Sequence, residues 1–313
     1  MNKIKDPKKE IFFWGGEPFV NFDFCKGVMN RYKDDKNVSF FFYTNGVYLK
    51  KYMKELVEFD KKLGHDRLRF QVSYDGAAVN NITRPDKKGN SSTKLVRTNY
   101  LLAKDAGLNI GLKSVITAEN FKYIYESFRD VIAMDQNYAP TPDLYSQLTE
   151  EELAPRLDEL KEGLQKIARY IYSNQLRPEK FGWFQNSRAL CSSGINYASI
   201  DLTGDISPCH GCMYKESEDH VMGNIFDEDL DFDKLLKDNS DMYREARVEP
   251  LLCQSCDAMF CMKCNAASYE KSDKEEYIDR WNDHGANWQV CKVFKQNEVI
   301  HHSLRSAQKA GVK

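Results

Sequence analysis

The sequence predicts an α/β fold, a parallel sheet flanked by helices, followed by a smaller cysteine-rich α+β half. Three observations carry this. Through about residue 134, short apolar runs alternate with segments of helical period at a nearly even pitch. Each apolar run ends in glycine or small polar residues. From Cys191 onward the alternation stops, and eight of the chain's nine cysteines lie in that second part. Strand–helix alternation at this pitch builds parallel sheets with helices outside, and such sheets place functional loops at the C-terminal ends of their strands.

Ile11–Trp14 reads as a buried strand stopped by Gly15-Gly16, with a helix over residues 21–34. Val38–Tyr43 is a second strand, read as core over Phe40–Tyr43, and it ends at Thr44-Asn45-Gly46. Leu49–Leu63 has helical spacing, and Leu68–Tyr74 is a third strand closed by Asp75-Gly76. Asn80–Asn90, rich in Asn, Lys, Gly and Pro, reads as a loop insert. A helix over Ser92–Ala106 closes at Gly107, and Ile110–Ile116 gives the fourth strand, ending around Lys113-Ser114. Glu119–Met134 is helical, and Tyr138–Tyr145 reads as an irregular connection or a fifth strand. Thr149 and Glu152 form a capping box that opens a helix running to Ser173. Arg177-Pro178 marks the expected boundary between a domain over 1–178 and one over 179–313. Beyond it, Tyr197–Leu202 and Ile206–Cys209 flank Thr203-Gly204-Asp205, a hairpin signal, and Val221–Phe226 is a short strand. Asp231–Arg247 and Trp288–Ala310 read as helices.

Composition narrows the function classes. A formal charge of −2 and a pI near 6.3 over 313 residues give neither a nucleic-acid-binding nor a polybasic membrane surface. No apolar run approaches the roughly 18–20 residues of a transmembrane helix, and the N-terminus lacks the apolar core of a signal peptide. The expectation is a cytoplasmic chain, in which nine cysteines argue for metal ligation over disulfides. Cys25 falls in a predicted helix and is expected to pack in the core.

The cysteine series is the strongest chemical signal. Cys253, Cys256, Cys261 and Cys264 form two Cys-x2-Cys pairs within twelve residues. Two intervening residues let a tight turn aim both sulfurs at one metal. Cys191, Cys209, Cys212 and Cys291 complete a set of eight, enough for two four-cysteine sites. Zinc is the default for paired Cys-x2-Cys turns, and iron–sulfur clusters suit thiolates equally. The spacing gives a metal without choosing which.

Taken together these residues resemble a known family. Trp14-Gly15-Gly16-Glu17-Pro18 is similar to the Gly-Gly-Glu-Pro motif of radical S-adenosylmethionine (radical SAM) enzymes, found at the end of their second barrel strand. Cys191, twelve residues, Gly204, four residues and Cys209, followed by Cys253–Cys264 and then Cys291, resemble the SPASM extension of that superfamily. The resemblance implies a partial (β/α) TIM-like barrel without its first strand, followed by a SPASM-like domain. Three features depart from the family pattern. The four-cysteine gaps are two, four and two, where two, five and three are common. His210 stands where sulfatase-maturing members have an aspartate proposed as a base. The family's Cys-x3-Cys-x2-Cys motif, which holds the SAM-cleaving cluster, is not found in these 313 residues.

The resemblance also implies roles. Gly15, Gly16, Glu17 and Pro18 would take the SAM ammonium, with an ionised Glu17 a good acceptor for a cation. Ser73 and Asp75 would contact ribose hydroxyls, although Ser-x-Asp-Gly is equally ordinary turn chemistry. Thr44 and Asn45 stand similarly, and Arg84 would pair with the SAM carboxylate. Two auxiliary [4Fe–4S] clusters are implied. Cys253, Cys256, Cys261 and Cys291 would hold one; Cys191, Cys209 and Cys264, with Cys212 as fourth ligand, would hold the other. The implied activity is SAM-dependent radical modification of a peptide or protein. This chain is expected to be inactive alone and to need a missing N-terminal segment or subunit. The alternative is a non-catalytic iron–sulfur or zinc module that binds a peptide or partner.

Overall fold

The structure, a computed structural model, describes residues 7–143, 148–185, 187–188, 193–212, 221–245, 260–261, 291–297 and 300. They fall into two compact units, one formed by 6–142 with 158–182 and the other by 143–157 with 183–312.

The first unit holds a four-stranded parallel sheet in the order of the chain: β1 (Lys9–Phe13), β2 (Val38–Thr44), β3 (Leu68–Ser73) and β4 (Asn109–Lys113). Lys9 pairs with Val38, Phe40 with Leu68 and Arg69 with Asn109. All four C-terminal ends therefore lie along one edge. Strict alternation in β2 and β3 buries Phe40, Phe42, Thr44, Leu68, Phe70 and Val72 on one face. Phe41 and Tyr43 point the other way and are only half-buried, so the run is core on one face alone. That second face carries an aromatic cluster, with Trp14 and Tyr43 centroids 4.2 Å apart and Phe41 and Tyr43 4.7 Å apart. Arg69 joins it by pairing with Glu10 and lying over Phe41.

The connecting helices are α1 (Phe22–Tyr32), α2 (Leu49–Leu63), α3 (Ala77–Thr83) and α4 (Thr93–Asp105). α2 coincides with its expected span, while α1 and α4 fall one or two residues inside theirs. Two expectations need correction. Asn80–Asn90 is not a loop throughout, because α3 runs through Asn80, which is fully buried. Its amide reaches the Ser92 and Thr93 hydroxyls, so a polar residue that reads as loop is satisfied inside the fold. The fourth strand is also interrupted. Ser114 turns its hydroxyl onto the Tyr74 carbonyl, and β5 (Val115–Ile116) pairs instead with β6 (Thr141–Pro142). α5 (Ile124–Ile132) follows a short 3₁₀ turn, and α6 (Glu150–Ser173) opens with the expected reciprocal bonds between Thr149 and Glu152.

In the second unit, β7 (Ser187–Arg188) pairs with β11 (Phe260–Cys261). β8 (Ser199–Ile200), β9 (Asp205–Ser207) and β10 (Gly223–Asn224) form a small antiparallel sheet around the expected Thr203-Gly204-Asp205 hairpin. α7 (Phe232–Glu245) is tethered to the cysteine loop by Asn239, whose amide donates to the Gly194 carbonyl at 2.8 Å. Residues 291–297 are helical, and Phe294 packs edge-on to the fully buried Trp183. The remainder of the predicted Trp288–Ala310 helix lies outside the described residues.

Candidate functional site

At the C-terminal edge of the sheet the chain leaves β1 through Trp14 and Gly15. Gly15 has φ of +114°, a conformation that only glycine adopts cheaply, and the reversal brings Glu17 back over the neighbouring strand. The Glu17 carboxylate accepts the Thr44 hydroxyl at 2.8 Å, the Asn45 N–H at 2.7 Å and the Phe19 N–H at 3.2 Å. It thus pins two strand ends together and caps the 3₁₀ turn Pro18–Asn21. Burial dominates its titration and raises its pKa despite those three donors. A half-buried carboxylate whose ionised form is disfavoured by desolvation gains from an incoming cation.

The next strand end is locked from behind. Gly46 N–H donates to Thr44 Oγ1 at 3.0 Å, and Asn99, fully buried on α4, donates to the Gly46 and Val47 carbonyls at 2.9 Å each. Asn99 was not legible as a site-supporting residue by motif. Its signal is a polar residue on the buried stripe of Val96, Tyr100 and Ala103.

At the third strand end the arrangement is different. Asp75 is buried and accepts Arg84 Nε at 2.7 Å, Arg84 Nη2 at 3.2 Å, the Thr83 hydroxyl at 2.7 Å and the Val115 N–H at 2.9 Å. The residues assigned by resemblance to ribose and to the SAM carboxylate are therefore bonded to each other. Ser73, half-buried, pairs in register with Lys113 on β4. Lys113 donates to the Ala139 carbonyl at 3.0 Å, and burial lowers its pKa. So Glu17, Thr44 and Asn45 meet directly, Asp75 and Arg84 form a second cluster, and Ser73 lies at the edge between them with Lys113 beside it.

Of the eight cysteines expected to ligate metal, Cys209, Cys212, Cys261 and Cys291 are described; Cys191, Cys253, Cys256 and Cys264 lie outside the described residues. Cys209 and Cys212 are buried with sulfurs 3.7 Å apart. The Cys212 thiol, then the Ser193 hydroxyl and the Gly211 and Cys212 N–H groups, pull the Cys209 pKa down to about 6 against its burial. The donor set is one of thiolates in a buried, hydrogen-bonded turn, and it fits a metal centre. Ser193, two residues past Cys191, was missed by motif reading. Burial lowers the pKa of His210, beside them. Cys25 is buried at the start of the first unit, its thiol pushed up to about 11 by burial, as suits a packing residue.

The chain thus combines a parallel α/β sheet with a buried thiol turn that follows a strand of a small antiparallel sheet. Residues 191–265 match the SPASM family, an iron–sulfur cluster-binding domain. That match places a SPASM-type domain within the cysteine-rich half. Among solved structures it is similar to native anSMEcpe with bound AdoMet and Cp18Cys peptide, at a TM-score of 0.68 and 16% identity, covering 98% of this chain and 87% of that one. Native anSMEcpe with bound AdoMet gives a TM-score of 0.70 at 16% identity, over 96% and 84% of the two chains. These likenesses concern the fold. An uncharacterised protein of Methanocaldococcus jannaschii is 28% identical over 191 residues, 58% of this chain. The chain matches 64% of that relative's length, a little under two thirds. Among the described residues, no helix is long and apolar enough to cross a membrane.

Proposed function

We propose that this chain is a peptide- or protein-modifying radical SAM/SPASM component that binds SAM at the strand ends through Glu17 and its neighbours. The observation carrying this is the convergence of Thr44 and Asn45, at the end of the adjacent strand, on the half-buried Glu17 carboxylate. Its Oε2 accepts the Asn45 N–H at 2.7 Å, and the SAM ammonium would add a charge-assisted donor there. A Cβ at Gly15 or Gly16 would meet open space, so this side of the strand end is uncrowded. Backbone carbonyls at the strand end would complete the ammonium site, and Ser73 would face the ribose.

Asp75 and Arg84 would act differently from the family assignment. Their ion pair shapes the third loop, and Asp75 also holds the start of β5 through the Val115 N–H. In the cysteine-rich half, Cys253, Cys256, Cys261 and Cys291 would hold one iron–sulfur cluster. The remaining thiolates, Cys191, Cys209, Cys212 and Cys264, would hold a second metal centre. When bound, such clusters supply one-electron chemistry or an iron for ligation. The substrate reading, a peptide, is supported by the SPASM match and by the fold shared with a protein solved with Cp18Cys peptide.

Calorimetry with SAM tests the site. A charge-assisted contact is worth roughly 1.5–3 kcal/mol, so Glu17→Ala should weaken binding about 10- to 100-fold. Equal affinity for both proteins would remove Glu17 from the site. A second reading rests on a specific observation: the 313 residues hold no Cys-x3-Cys-x2-Cys. On that reading the polypeptide by itself binds SAM and peptide without cleaving SAM. Release of 5′-deoxyadenosine from SAM and dithionite by this chain alone would overturn it.

A further inference from the structure

The metal centre assigned to Cys209 and Cys212 has a geometric signature of its own. Their sulfurs stand 3.7 Å apart, too far for a disulfide and close for two independent cluster ligands. Two thiolates on one tetrahedral ion, each at about 2.3 Å, are separated by about 3.8 Å. In a four-iron cluster each cysteine takes a different iron. Two such sulfurs are then spread by a whole metal–metal edge as well as two bond lengths.

The turn that carries them is built for the closer arrangement. Gly211 and Cys212 direct their N–H groups at Cys209 Sγ, and Cys212 N–H also closes the turn on the Cys209 carbonyl at 3.1 Å. Ser193 adds a hydroxyl from the preceding loop. That loop is fixed by Gly194, whose N–H meets the Tyr197 and Pro208 carbonyls. Tyr197 packs against the two thiols, and both are buried. Donors to one sulfur, a short sulfur–sulfur distance and exclusion of water together describe a knuckle gripping a single ion.

We propose that Cys209 and Cys212 bind one and the same tetrahedral metal ion of the zinc class, with further ligands from the chain's other cysteines, in place of an auxiliary four-iron cluster at this position. The inference rests on reading the cysteine-rich half as a metal-binding SPASM domain. It departs from that family's second cluster. The thiolates serve here as ligands of a redox-inert ion, so this centre would shape the fold while electron transfer is left to the other cluster.

The test uses the full 313-residue chain, purified anaerobically from medium containing both iron and zinc. Metal and labile-sulfide analysis should find about one zinc and about four iron with matching sulfide per chain. Cys212→Ala should lose the zinc and keep the iron and sulfide. Because that variant can fail to fold, the wild type carries an independent measurement. X-ray absorption at the zinc edge should show sulfur neighbours at about 2.3 Å and no iron shell. Co²⁺ added to the metal-free chain should give the visible bands of a tetrahedral thiolate site. Zinc lost in Cys212→Ala, with no sulfide in either protein, supports this inference and removes the cluster reading above. The inference is overturned if Cys212→Ala loses iron and sulfide together. Metal content unchanged by Cys212→Ala, or a wild type that binds no metal, overturns it equally.

Discussion

Glu17 shows how one side chain can tie two strand ends together, and under the proposed function the same carboxylate would also meet the ligand. Its carboxylate joins the ends of β1 and β2 and pays for burial with three donors. Burial nevertheless raises its pKa above the unfolded value of 4.5. The folded state then holds the proton more tightly than the unfolded one, so stability from this group is fully present below 4.5 and is lost as pH rises through the folded value. Glu17→Gln removes that dependence. Urea midpoints of the two proteins, compared between the unfolded-state value and neutrality, should diverge in favour of the Gln variant as pH rises. A constant difference across the range would contradict the shift. Glu17 and its glycines were legible because a short motif carries them. The pairing of Asp75 with Arg84 was not, since sequence gives two charged residues nine apart without saying whether they face a ligand or each other. The structure brings them within 2.7 Å.

At the scale of the element, the third loop depends on how closely α3 and α5 approach. Gly76, with φ of +93°, starts the turn into α3, and a Cβ there would lie 2.6 Å from the Ser127 Cα on α5. Backbone cannot yield as a side-chain tip can, and the positive φ adds its own penalty of roughly 1–2 kcal/mol. Gly76→Ala should therefore cost more than about 2 kcal/mol of stability, read as a lowered denaturant midpoint with an unchanged slope. A loss below about 0.5 kcal/mol would show that α5 moves freely away. Strands and long helices were readable because their periods persist over many residues: β2 and α2 fall within a residue of expectation. The break between β4 and β5 was hidden, because Lys113-Ser114 interrupts an apolar run without glycine or proline, and the cause is the contact of Ser114 with Tyr74, forty residues away.

For the whole molecule, two separate cores imply two responses to metal loss. The sheet unit is held by Phe40, Phe42, Phe70 and their helices, none of which involves a thiol ligand. In the cysteine-rich unit the described strands are only two or three residues long, and Cys209 and Cys212 form a buried cluster. Ligation should supply much of its folding energy. Chelation of bound metal should lower one thermal transition and leave the other in place. A single transition that shifts as a whole would show that the units melt together. The cysteine series made the SPASM match over residues 191–265 readable; the Ser193 hydroxyl beside Cys209 was not, because no spacing rule ties it to that thiol.

The parallel register of the sheet has a kinetic consequence. Lys9 meets Val38, Phe40 meets Leu68, and Arg69 meets Asn109, so each new strand docks beside the one made just before it. Every docking event closes a loop of about thirty to forty residues, and the entropy of closure changes little between them because it grows only with the logarithm of loop length. No strand has to wait for a distant partner. During synthesis from the N-terminus, the sheet can therefore grow one unit at a time, each unit covering the apolar edge left by the last. Glu17 then acts as an early latch: its bonds to Thr44 and Asn45 become available as soon as the second strand is in place, before the third has been made.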